Sequence, residues 1–126
     1  MANAIERAVE TYIRAWGERD ASLREQLLEA CFAADGRLVT RRRVIRGRAA
    51  LAAEMARFHG ATRWRSIRRT SAIDIGETTF RFRGVVELED GTLAEASDAG
   101  EVDAEGKISL LVTFDGPLAD ASEDTR

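Results

Sequence analysis

A chain of 126 residues with net charge −3 and pI about 5.3 is one domain by length, and its acidity argues against a nucleic-acid or polybasic membrane role. No apolar run approaches the roughly 20 residues of a membrane span, and residues 1–7 lack the apolar core of a signal peptide. With one cysteine and one histidine there is no internal disulfide and no zinc site of the usual His/Cys kind, so a cytoplasmic globular domain without metal or cofactor is expected.

Residues 4–17 predict a helix, because Ile5, Val9, Tyr12, Ile13 and Trp16 recur at helical spacing. Asn3 and Glu6 are placed for a capping box, and Gly17 ends the helix. Tyr12 lies inside the buried stripe, so its hydroxyl needs a partner. A second helix is capped by Asp20 or Ser22 and runs to about Ala33, with Leu23, Leu27, Leu28 and Cys31 inward. Cys31 reads as a small core residue, since no base stands near it in sequence. Residues 34–36 turn the chain into a strand over 37–40. Five arginines then fall within residues 41–48. They read either as a solvated edge or as a rim for an anion, with Arg41 and Arg43 as its candidates. Gly47 opens a third helix to about His59. Leu51, Met55 and Phe58 share one face, Gly60 ends the helix, and His59 lies where the helix dipole favours its charged form.

From Arg63 the period changes from 3.6 to 2. Residues 62–75 predict one strand or two, with a break near Ser71. Residues 78–88 follow, then an Asp-Gly turn at 89–91. The next strand places Ala94, Ala96, Asp98, Gly100 and Val102 on one face, and Glu95 and Glu101 on the other. Small residues on a concave face leave room, and an acid in that room is the best candidate for chemistry. After a turn at 103–106, the last strand, 107–114, is expected to hold Ile108, Leu110, Val112 and Phe114 on one face. The order predicts an α+β domain over residues 1–118, a curved, mostly antiparallel sheet with three helices across its concave face, followed by a polar tail at 119–126.

Four stretches resemble the nuclear transport factor 2-like superfamily, and within it SnoaL-like proteins. They are Tyr12-Ile-Arg-Ala-Trp-Gly-Glu-Arg-Asp20, Phe32-Ala-Ala-Asp-Gly-Arg-Leu-Val39, Arg46-Gly-Arg-Ala-Ala-Leu51, and Asp98 with Asp103-Ala-Glu-Gly-Lys-Ile108 and Phe114-Asp115. The resemblance implies a cone-shaped domain with a pocket between helices and sheet, commonly a homodimer packed through its sheets. It also aligns Tyr12 and Asp98 with the oxyanion-hole pair of ketosteroid isomerase, a system in which a carboxylic acid is kept neutral in an apolar site. The catalytic base of that enzyme falls on Thr40, which is no base, so that reaction is not expected here.

Two functions remain open. The chain binds a hydrophobic small molecule, which the arginines would allow to be anionic. Alternatively it is an acid/base enzyme of cyclase, isomerase or hydratase type, using Asp98 with Tyr12. In either case Trp16, Thr40, Met55, Phe58, Trp64 and Phe80 are the expected pocket wall.

Overall fold

The computed structural model describes residues 1–123 of the chain; of the tail, residues 124–126 lie outside the described residues. Helix α1 spans Ala2–Gly17 and α2 spans Ala21–Cys31. Strands β1 (Phe32–Val39) and β2 (Val44–Arg46) form a hairpin before α3 (Arg48–Ala61). Then follow β3 (Trp64–Arg69), the short β4 (Asp74–Ile75), β5 (Thr79–Leu88), β6 (Leu93–Val102) and β7 (Ile108–Asp115), with a 3-10 turn at Ala121–Glu123.

The strands form one curved, unclosed sheet in the order β2-β1-β7-β6-β5-β3, with β4 pairing β5. Every pairing is antiparallel except β1 with β7. The three helices bury Ile5, Val9, Tyr12, Leu28, Cys31, Leu51 and Met55 in a common core with Phe32, Phe80, Ile108 and Leu111 of the sheet. Burial pushes the Cys31 thiol up to about 12, so it stays protonated as a core side chain.

Local chemistry differs from the sequence expectation at several ends. Asn3 lies inside α1 rather than capping it, because the helix already begins at Ala2. Asp20 does cap α2, its carboxylate accepting from the backbone N–H groups of Ser22 and Leu23. Leu23 is largely exposed, and Arg24 takes a buried position instead by donating to the Glu18 carbonyl. Residues 34–36 lie within β1 as an irregular segment, since Phe32 pairs Ile108 while Arg37 already pairs Leu110. Gly36 is required there, because a Cβ would meet the Phe32 ring at 2.6 Å. Gly60 does not stop α3, which runs on to Ala61.

The largest difference is in β7. Val102 pairs Ile108 but Glu101 pairs Leu110, so Ser109 is the extra residue of a β-bulge. Its hydroxyl donates to the Glu101 carbonyl. An extra residue moves everything beyond it to the opposite face. Leu111, Thr113 and Asp115 therefore join Ile108 on the concave side. Leu110, Val112 and Phe114 turn to the outer face, where Phe114 is 51% exposed.

Candidate functional site

Register places the concave side chains in rows across the sheet. The first row is Leu38, Leu111, Gly100 and Phe80, all packed into the core except the glycine, whose missing side chain the Phe80 ring covers. The second is Thr113, Asp98 and Phe82, with Thr40 following Val39 at its β1 end. The third is Asp115, Ala96 and Gly84, and the fourth reaches Ala94, Val86 and Ile67. Side chains thus shrink from the first row to the third. Aromatic and aliphatic groups fill one end of the concave face, and alanine and glycine leave the other open.

The open end is a cavity of about 460 Å³. Tyr12, Ile13 and Trp16 of α1 and Phe58 of α3 form its roof, and Phe82, Val86, Ala94 and Ala96 its floor. Asp98 stands at the border between cavity and core. Its Oδ1 is buried and has no hydrogen-bond partner. Burial raises its pKa from the usual carboxylate range to about 6; the Thr113 hydroxyl beside it pulls the other way, and the Asp115 carboxylate adds a smaller upward push. Burial thus brings the titration of Asp98 close to neutral pH.

Tyr12 is buried with its ring stacked on Phe32, and no hydrogen bond joins it to Asp98. Burial, reinforced by the charge of Asp98, drives its pKa far above the ordinary tyrosine value, so the hydroxyl serves only as a neutral donor or acceptor.

The structure brings Asp98, Tyr12, Trp16, Thr40, Phe58, Arg41 and Arg43 around one cavity. It does not bring Met55, Trp64 or Phe80 there. Met55 and Phe80 are buried in the core. Trp64 is buried under Arg19, whose guanidinium lies 3.8 Å over its ring, in a cluster with Phe58 and His59. His59 meets the Trp16 carbonyl through Nε2 at 2.7 Å. Desolvation lowers its pKa despite that bond, so the charged form expected at a helix end is disfavoured.

Thr40 has a structural task. Its backbone N–H donates to the Arg43 carbonyl, and its Oγ1 accepts from the backbone N–H groups of Arg42 and Arg43. The threonine thus ties the β1–β2 turn. Sequence reading missed Thr113 and Asp115, which only the Ser109 bulge turns inward. It also missed Arg57 and Arg68 at the rim, and held Arg42 only as one of the five arginines of 41–48. Among the described residues, no group of three or more His, Cys, Asp or Glu side chains is arranged to hold a metal. No helix among the described residues is long and apolar enough to cross a membrane.

No family model matches the sequence, and no curated relative does either. Solved structures do match. A protein from Agrobacterium tumefaciens described as an isomerase candidate of the SnoaL-like family superposes with a TM-score of 0.80 at 24% identity, covering 91% of this chain and 99% of its own. An NTF2-like protein of unknown function from Burkholderia xenovorans gives 0.72 at 16%, with 95% and 88% covered. The chain has the nuclear transport factor 2-like fold. The epoxide hydrolase/cyclase-like enzyme SalBIII, associated with pyran ring formation in the polyether salinomycin, shares it with a TM-score of 0.69 at 18% identity, with 91% and 92% covered. At these identities the likeness carries the nuclear transport factor 2-like fold and not the activity.

Proposed function

We propose that the chain is a SnoaL-like pocket protein that takes a compact hydrophobic molecule between its helices and the concave sheet face. One observation carries the reading. Asp98 Oδ1 is a buried acceptor without a partner, at the edge of an apolar cavity. A buried polar atom left unpaired costs roughly 1–3 kcal/mol, and a ligand hydroxyl or N–H reaching it would recover much of that. The cavity volume lies within the roughly 300–1,000 Å³ of small-molecule sites. The probe for this reading is N-phenyl-1-naphthylamine, a neutral dye that brightens in apolar surroundings. It is expected to bind the wild type, and Ala96→Phe, which fills the cavity from its floor, is expected to abolish the signal while leaving the thermal transition in place. Equal binding by a folded Ala96→Phe variant would place the dye elsewhere and remove the support for the cavity.

A second reading is acid/base catalysis with Asp98 and Tyr12. It is favoured by a carboxyl that titrates near pH 6, where proton uptake and release are both accessible. It does not extend to the ketosteroid isomerase reaction, because Thr40 supplies no base and its hydroxyl is engaged in the turn. Asp98→Asn separates the two readings. Loss of turnover by about a hundredfold or more with dye binding retained would indicate catalysis. Retained turnover would assign Asp98 to binding alone.

A further inference from the structure

We propose that the ligand is an amphiphilic anion, held apolar end inward, with its oxyanion met by the arginine-rich β1–β2 turn at the cavity mouth, Arg42 foremost. The inference rests on the cavity being a ligand site and adds the class of molecule and its direction of entry.

Five arginines line the cavity, but they are not equivalent. Arg43 and Arg57 both donate to Glu54 of α3, and Arg68 pairs with Glu87. Each of those three has an acidic partner, but Arg43 and Arg57 share Glu54 and Arg68 shares Glu87 with Arg65. Arg41 and Arg42 have no acidic partner among the described residues. Arg41 lies against the outer-face Phe114 ring, 5.3 Å from its guanidinium carbon, which leaves Arg42 as the unpaired arginine facing the cavity. The cavity lining carries five arginines against the carboxylates Glu54, Asp98 and Asp115, so the rim keeps a positive balance.

The backbone that presents the pair is fixed. Thr40 closes the turn through its own N–H and accepts two N–H groups at 3.3 Å through its hydroxyl. An arginine held on a tied turn loses less freedom on binding an anion than one on a loose loop. The threonine hydroxyl ties the turn without adding a negative charge beside the arginines.

The opposite end of the cavity sets the direction. Asp98 is a buried carboxyl with an unpartnered oxygen, so an anionic group driven to that depth would meet an acceptor, and its charged form, in a low-dielectric site. The apolar wall between the two ends has no cation to hold it. A molecule with an anionic head, an apolar body and a neutral donor at its far end satisfies all three zones, and only in one orientation.

The test compares 8-anilinonaphthalene-1-sulfonate with N-phenyl-1-naphthylamine, which has the same aromatic body without the sulfonate. Titrations use the wild type, Arg41→Gln/Arg42→Gln and Arg43→Gln. The wild type is expected to prefer the sulfonate by about tenfold, and the double variant to lose that preference while its affinity for the neutral dye is unchanged. Arg43→Gln is expected to change the preference by less than half as much on a logarithmic scale, because that guanidinium is committed to Glu54. Neutral-dye binding with no preference for the sulfonate, or a preference that survives the double substitution, overturns the anion seat and leaves the cavity reading standing. Absence of binding by either dye overturns both.

Discussion

Asp98→Asn is expected to make the protein more stable at pH 8, by about 2 kcal/mol, and to make little difference at pH 4. The carboxyl titrates at 3.8 when unperturbed and at about 6 in the folded chain. Its folded pKa is raised, so the folded state holds the proton more tightly than the unfolded one. That contribution is complete below pH 3.8, is lost as pH rises through 6, and is flat above. A shift of this size corresponds to about 3 kcal/mol between the two limits. Asparagine removes the buried charge but brings an N–H₂ group that also needs partners, which reduces the gain to about 2 kcal/mol. Urea unfolding of both proteins across pH 4–8 measures the difference directly, and other carboxylates cancel in the subtraction. A difference that does not vary with pH would mean that Asp98 is not a strained acid. A wild type that accepts this cost at neutral pH keeps a charge where a hydrophobic or amide side chain would be more stable, the usual mark of a position held for binding or chemistry.

Gly100→Ala is expected to cost about 3 kcal/mol, although alanine is the better strand residue. Gly100 faces the core in β6, opposite Phe80 of β5 and Leu111 of β7. A Cβ there would collide with the Leu110 carbonyl oxygen and come within 2.7 Å of the Phe80 ring. The ring could swing away, but the carbonyl belongs to a strand locked on both sides. Phe80→Leu on the Gly100→Ala background should therefore recover only part of the loss. Chemical denaturation reads it as a lower midpoint at unchanged slope. A Gly100→Ala protein of wild-type stability would show that β7 can slide, and with it the bulge that aims Thr113 and Asp115 inward.

Much of this molecule is legible in the sequence, and the illegible part has a common cause. The stripe Ile5, Val9, Tyr12 and Trp16 announces α1 because a 3.6-residue period needs no tertiary information. The alternation around Asp98 is equally local, and β6 keeps it from Leu93 to Val102. The strand after it fails because one inserted residue, Ser109, reverses the face of Leu110, Val112 and Phe114, and serine carries no signal for a bulge. Apolar size likewise shows that Met55, Trp64 and Phe80 are buried without showing which end of a long concave face receives them. The rim misleads for a different reason. Arg41 and Arg43 are chemically identical in sequence, and only the approach of Glu54 from α3 distinguishes them.

The parallel pairing of β1 with β7 governs how the chain can fold. Residues 32–39 lie in the first third of the sequence, yet one edge of their strand stays open until residues 108–115 have been made. The helices precede most of the sheet they must cover, so Phe32, Leu38 and the α1 stripe have little to pack against while synthesis proceeds. Contacts of such long range close late and slow the search. The N-terminal half, with one edge of β1 unpaired until β7 is made, is the part whose apolar surface stays exposed longest during synthesis.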